Sequence, residues 1–352
     1  MPTDKSTNPT PTENIALAQA KASVVTTRSI PRWVFPVAAA VIFLVLAPMG
    51  AAASLGIVTT LTAILFYVIV AQGWNLLGGY GGYLNFGAAI FVGSGAYMAA
   101  WLNDSFDWPV WATLIPGGIA AVVVSIVIGY ATLRLRSHYF AIFTLVLTFL
   151  ALTVVKNTPA LGGAIGLFVR VDRGLDSRQI GMLFFYLMFG LAILATVVAY
   201  LVENSNFGYA LRAISEDEPA AQVLGVKTVS VKLRALVLGA ALGGIAGSAW
   251  AFWTGYIEPT GAFSVKIALD IVLVCVIGGL GSWLGPLIGS FIVVGLEQIL
   301  RVTLPGLDLF GFELPAETNR LILGVILIVF ALFIRRGVIG LLKKRRGRAI
   351  AV

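Results

Sequence analysis

Residues Glu203 to Lys232 read ENSNFGYALRAISEDEPAAQVLGVKTVSVK, the one long charged interruption in the second half of a chain otherwise built from apolar runs. The flanking runs, roughly 180–202 and 232–255, approach the ~20 apolar residues that a helix needs to cross a bilayer. The stretch between them is therefore expected outside the lipid. Within it, Ser215-Glu216-Asp217-Glu218 has the form of a capping box. The Ser215 hydroxyl would accept from the amide three residues on, and Glu218 would reach back to the Ser215 amide. Acids at 216–218 suit the positive end of a helix, and Pro219 is tolerated in a first turn. Ala220, Ala221, Val223 and Leu224 continue the helix, and Gly225 is a natural stop. The spacing predicts a surface helix of two to three turns. It is either a handle on which a soluble motor can push or a plain surface helix, and the cap weighs equally for both.

The 352 residues are 59% hydrophobic and 11% charged, with mean hydropathy +0.95. A soluble chain carries roughly 25% charged residues, so an all-α polytopic membrane protein is expected. A net charge of +8 does not point to nucleic acid, because the basic residues sit at the ends of apolar runs, where anionic lipid favours them. The single cysteine, Cys275, lies in an apolar run, so no disulfide within the chain and no zinc set are expected. The lone His138, just after Arg134 and Arg136, reads as interfacial rather than as a ligand or base. There is no G-x-x-x-x-G-K-[ST] phosphate loop, no H-E-x-x-H and no Ser-His-Asp set. The chain is expected to be no enzyme, to hold no metal and to bind no ATP by that route.

About ten stretches reach spanning length: 33–50, 55–73, 84–102, 109–132, 138–156, 180–202, 232–255, 264–280, 284–302 and 319–335. Residues 1–32 are polar and read as a disordered tail, 33–342 as a transmembrane domain with 203–232 as its main loop, and 343–352 as a basic tail. Ten alternating crossings with the N-terminus inside put seventeen Lys and Arg on the inner side and seven on the outer. That bias agrees with both termini in the cytoplasm and places 203–232 inside, where ATP is.

Residues 73–87 are rich in glycine, so the helices around them are expected to be broken or re-entrant, with protein or a water cavity covering the irregular backbone. The run Gly78-Gly79-Tyr80-Gly81 is echoed by Gly278-Gly279-Leu280-Gly281, which suggests an internal repeat or chance in a glycine-rich chain. Stripes at Gly239, Gly243, Gly247, Ala251 and Gly255, and at Gly281, Gly285 and Gly289, are expected to let helices approach closely. Polar residues inside the spans are few. Asp270 has Lys266 four residues earlier, which favours a salt bridge over an ion site, and Glu297 has Arg301 four residues later. Gln72, Asn75 and Asn85 each need a hydrogen-bond partner, whether to fix broken helices or to line a path.

Several of these segments resemble one family. Residues 73–87, GWNLLGGYGGYLNFG, are similar to the G-x-N-L-L-x-G-Y-x-G-x-x-S-x-G signature of the LivH/LivM permeases of branched-chain amino acid ABC importers, and 91–97, FVGSGAY, to its continuation. Residues 133–142, LRLRSHYFAI, resemble the L-R-x-x-G-x-Y-F-A-I segment of the LivM branch. Ala210–Gly225 resembles the family's A-L-R-A-I-R-E-D-E loop, and 278–286 its G-G-x-G-[ST]-x-x-G-P. The likeness spans roughly 55–340, with the motifs in order. Asn85 and Ser137 stand where Ser and Gly are usual, Leu161 where Thr opens an outer T-G-G-x-x-G loop, and Pro219 at the Glu position of the wider E-A-A-x-x-x-G motif.

The resemblance implies the fold of an ABC importer permease in a bacterial inner membrane. It implies a second, LivH-like permease beside it and two ATPase subunits that bind ATP and magnesium. A soluble binding protein outside would deliver branched-chain or related small apolar amino acids. The coupling residues would be Ser215, Glu216, Asp217, Glu218, Ala220, Ala221, Leu224 and Gly225. The path candidates are Asn75, Asn85, Tyr97 and Asp270. A urea or short-amide permease of the same architecture, and a stand-alone carrier or channel, are the alternatives.

Overall fold

The computed structural model describes residues 54–135, 137–171, 174–303, 308–309, 312–313 and 337–339, all within the unit Gly50–Val352. The expected crossings at 33–50 and 319–335 and both tails lie outside these residues. Eight long helices account for the other expected crossings: α1 (Leu55–Gly78), α2 (Ala88–Phe106), α3 (Val110–Thr132), α4 (Ser137–Lys156), α5 (Ser177–Glu203), α8 (Thr228–Thr254), α10 (Val265–Gly278) and α11 (Leu284–Thr303). Two short helices, α6 (Asn206–Glu216) and α7 (Glu218–Val223), fill the charged stretch, and α9 (Pro259–Ala262) precedes α10. Strands β1 (Leu167–Phe168) and β2 (Tyr256–Ile257) pair antiparallel, and β3 (Asp308–Leu309) pairs with β4 (Phe312–Glu313). Among the described residues, six helical segments are long and apolar enough to cross a membrane. The chain is a multi-pass, all-α membrane protein.

Connections gather at two opposite ends of the bundle. At one end, the Ser137 hydroxyl donates to the Gly82 carbonyl (3.0 Å) and the Tyr80 hydroxyl to Glu203 (2.8 Å), so the turns after α1, α3 and α5 meet. The turn after α10 joins them through Trp283, whose amide donates to Glu203 (2.8 Å). At the other end, the Arg170 amide donates to Asn103 Oδ1 (2.8 Å), and β1 pairs with β2. Turns after α2, α4 and α8 meet there. The turns that follow successive long helices thus alternate between the two ends, as expected from the sequence.

The centre of the bundle is α8, which packs on α1, α2 and α3. Two of its glycines, Gly239 and Gly247, meet backbone rather than side chains. A Cβ on Gly239 would lie 2.4 Å from the Gly73 carbonyl oxygen, and one on Gly247 2.0 Å from that of Val92. Close approach of this kind maximises dispersion contact where lipid gives no hydrophobic drive between helices. Helix α1 continues through Gly73 to Gly78, beyond its expected end. The second stripe acts likewise in the α10–α11 hairpin, where a Cβ on Gly289 would lie 1.9 Å from the Val274 carbonyl oxygen.

Residues 79–87 form no helix, so α2 starts four residues later than its apolar run. The Phe86 amide donates to Thr144 Oγ1 (3.1 Å) and the Thr148 hydroxyl to the Phe86 carbonyl (3.3 Å). Thr144 is ~10 Å along α4 from its start at 1.5 Å per residue, so this irregular segment dips into the bundle. Tyr80 and Tyr83 are buried there, and protein satisfies the backbone that lipid could not.

Gly95→Ala should destabilise by about 1–3 kcal/mol, because its Cβ would sit 2.0 Å from the Gly244 carbonyl oxygen. Gly190→Ala, with no atom within 4 Å of the added Cβ, should leave thermal unfolding in detergent unchanged. Equal melting temperatures for the two variants would refute the packing account.

Candidate functional site

The charged stretch folds as two helices meeting at one residue. Ser205 caps α6 by accepting from the Gly208 amide (3.2 Å). Helix α6 runs through Ser215 to Glu216, and Asp217 then adopts an extended conformation. Asp217 Oδ1 accepts from the Ala220 amide (3.0 Å), so Asp217 ends one helix and caps the next. This corrects the capping box: Ser215 lies inside α6, against the left-handed Gly82 (φ +70°), where an added Cβ would be 2.6 Å from its hydroxyl. Aspartate was available one position before Glu218 and is as good a cap as serine. The helix it starts is six residues long, shorter than the expected two to three turns. Pro219 sits in its first turn, and Gly225 (φ +87°) terminates it as anticipated.

Glu218 does not fold back onto its own helix. Its Oε1 pairs with Lys232 Nζ at 2.6 Å, and its Oε2 accepts a short hydrogen bond from the Tyr83 hydroxyl. Lys232 Nζ also donates to that hydroxyl (3.0 Å) and lies 4.3 Å from the centroid of the Tyr83 ring. Lys232 is only 2% exposed. It is thus no interfacial cation, as its position at a helix end suggested, but the inner half of a buried clamp. Burial pushes the Glu218 carboxyl upward, but the Lys232 and Tyr83 hydrogen bonds and the Lys232 charge outweigh this and hold it below its ordinary value of 4.5. A further tie runs from Gln222 Nε2 to Thr228 Oγ1 (3.0 Å), and Ala221 is buried.

Glu203 makes a second junction. Its Oε2 accepts from the Tyr80 hydroxyl and the Trp283 amide, both at 2.8 Å, and its Oε1 pairs with Arg212 at 3.3 Å. The two glycine motifs that echo each other in sequence are therefore joined to α6 by one carboxylate. They also touch directly: Asn75 Oδ1 accepts from the Gly281 amide and its Nδ2 donates to the Ser282 carbonyl, both at 3.1 Å. Gln72 Nε2 adds a bond to the Trp283 carbonyl (2.7 Å).

The far side of α7 makes no such ties. Val223 is 89% and Leu224 82% exposed, side by side at the tip, and Glu216, Asp217 and Ala220 are also exposed. A short helix clamped at its base and apolar at its tip can pass a push from outside into α8 and the 79–87 segment. Glu203, Lys232, Tyr80 and Tyr83 were not among the residues singled out from sequence. The signal was present in the two charges that bound the stretch, each abutting an apolar run.

The four path candidates do not come together. Asn75 is fully engaged between the glycine motifs. Asn85 Oδ1 accepts from the Gly87 amide (2.8 Å), and its carbonyl accepts from Trp74 Nε1 (2.7 Å). Tyr97 stacks on Phe263 (centroids 5.7 Å apart) and lines an apolar cleft of about 610 Å³ among α2, α3 and α4. Asp270 lies elsewhere, bridged to Lys266 at 2.7 Å as favoured from sequence. Glu297 pairs with the same Lys266 (3.3 Å); the side chain of Arg301, its neighbour one turn on, lies outside the described residues.

Glu218→Gln leaves the Lys232 ammonium buried without a counter-charge and should cost about 3 kcal/mol. The double variant with Lys232→Met should recover most of that loss in thermal unfolding. Because the folded carboxyl titrates below 4.5, the tie is complete above that pH and is lost as pH falls through the depressed value. Protection of the 218–226 amides, corrected for intrinsic exchange, should therefore hold from neutral pH down to about 5 and fall only under stronger acid.

The family model for the branched-chain amino acid transport system permease component matches residues 56–331. The chain is 29% identical over 277 residues to the high-affinity branched-chain amino acid transport system permease protein LivM of Escherichia coli, covering 70% of this chain and 64% of that protein. LivM of Salmonella typhimurium gives the same figures. The match thus spans less than two thirds of the length of these relatives. A probable LivH of Methanocaldococcus jannaschii is 25% identical over 262 residues, 70% of this chain and 81% of that protein. An autoinducer 2 import permease, LsrC, of Yersinia pseudotuberculosis is 27% identical over 145 residues, 40% of this chain and 39% of that protein. With the helices, the paired glycine motifs and the clamped surface helix all lying inside the matched region, the chain belongs to the branched-chain amino acid transport permease family.

Proposed function

We propose that this chain is a permease subunit of an ABC importer for branched-chain amino acids, and that residues 215–225 are its coupling segment. The observation that carries the reading is the contrast within α7. Its base is fixed by Glu218, Lys232 and Tyr83, while Val223 and Leu224 project 89% and 82% exposed from its tip. An apolar pair so exposed fits a cleft on a soluble ATPase subunit, where burying each side chain would contribute about 1.5–3 kcal/mol. Two such ATPase subunits would bind the nucleotide and magnesium. Closing and reopening, they would rock α6 and α7 and thereby alternate access.

The membrane is the bacterial inner membrane and both termini are cytoplasmic in this reading, in keeping with the excess of basic residues on the α6–α7 side. A second permease of the LivH kind completes the pathway. A soluble binding protein meets the opposite end, where Ile165 and Phe168 are exposed beside β1 and β2.

Val223→Asp with Leu224→Asp should weaken co-purification of the ATPase subunits by about tenfold or more and abolish ATP-driven leucine uptake, while the permease still inserts. Normal uptake by that variant would remove the coupling assignment. Leucine movement through liposomes holding this chain alone, without nucleotide, would remove the importer reading.

A further inference from the structure

Lys266, Asp270, Glu297 and Tyr67 form a polar cluster on the face shared by α1, α10 and α11. Lys266 Nζ lies 2.7 Å from Asp270 Oδ2 and 3.3 Å from Glu297 Oε1. The Tyr67 hydroxyl donates to the same Asp270 oxygen at 3.0 Å. Counted from the glycine-turn end at 1.5 Å per residue, Asp270 is ~12 Å, Tyr67 ~16 Å and Glu297 ~20 Å along its helix, so the cluster lies within the length of all three helices, with Lys266 in the first turn of α10.

It is not sealed inside the bundle. The side chains of Lys266, Asp270 and Glu297 are 52%, 21% and 27% exposed. Charges left partly exposed in this way are open to water or a polar ligand. The pairing is also unequal. Asp270 is held twice at short range, whereas Glu297 has one longer contact among the described residues. One cation and two carboxylates leave a surplus negative charge that no described neighbour neutralises.

We propose that this cluster is a transit site for a zwitterion, resting on the importer reading above. An incoming amino acid inserts between Lys266 and Glu297. Its carboxylate takes the Lys266 ammonium, and its own ammonium takes the released Glu297 carboxylate. One internal ion pair is exchanged for two to the ligand, with charge conserved, while Asp270 and Tyr67 keep Lys266 in place. The same exchange gives a solute with only one of the two charges a partner on one side alone, so the site selects zwitterions.

The single cysteine, Cys275, is buried, so a Cys275→Ser background accepts one reporter. Leu269→Cys, at a position 48% exposed beside Asp270, is treated with a membrane-impermeant cationic thiosulfonate in the complete reconstituted importer. The reporter should be modified, and l-leucine supplied through the binding protein should slow modification about tenfold. 4-Methylpentanoate, which lacks the ammonium, should not. Adding Glu297→Gln should leave modification intact and abolish the leucine effect. An unreactive reporter, a reaction indifferent to leucine, equal protection by 4-methylpentanoate, or leucine protection that survives Glu297→Gln would each overturn the site while leaving the importer reading standing. Absence of leucine uptake by the unmutated complex would instead remove that reading, and the site with it.

Discussion

Inside a bilayer no water is at hand to satisfy a backbone amide or a charge, so each polar group must find its partner in protein. The architecture follows from how this chain meets that demand. Helices satisfy most of the backbone by themselves. Where the chain leaves the helix at 79–87, Thr144, Thr148 and Trp74 supply the missing bonds. Where the second glycine turn does the same, Asn75 and Gln72 supply them. The intramembrane amides are thus explained as structural ties, and glycine is what lets the backbones come near enough to use them.

This is also why the fold was more legible than the site. Apolar runs of spanning length are a local property of sequence, and all eight that fall in the described region became helices within a few residues of their expected ends. The stripes at 239–255 and 281–289 likewise have a period that survives in the packing. Position 217 was misjudged because serine, aspartate and glutamate in succession offer several caps, and only the three-dimensional pull of Lys232 and Tyr83 on Glu218 decides among them. Lys232 illustrates the general difficulty. Its place at the head of an apolar run is what a lipid-facing cation would show, and the partner that buries it lies 149 residues away in sequence, at Tyr83. Asp270 was readable because its partner is one helical turn distant; Glu297 took its partner from another helix.

The proposed coupling segment is both tied down and bare. Glu218 is held by Lys232 and Tyr83, while Val223 and Leu224 stand exposed at the tip. In the proposed role the clamp matters, because force applied to a loosely attached helix would be spent in bending it.

The carboxylate of Glu203 has a mechanical consequence. It is bonded at once to Tyr80 after α1, to Trp283 after α10, and to Arg212 in α6. Two hairpins from distant parts of the sequence therefore share a single pivot with the lever that α6 provides. A tilt of α6 that pulls on Glu203 through Arg212 therefore reaches both glycine turns through one side chain.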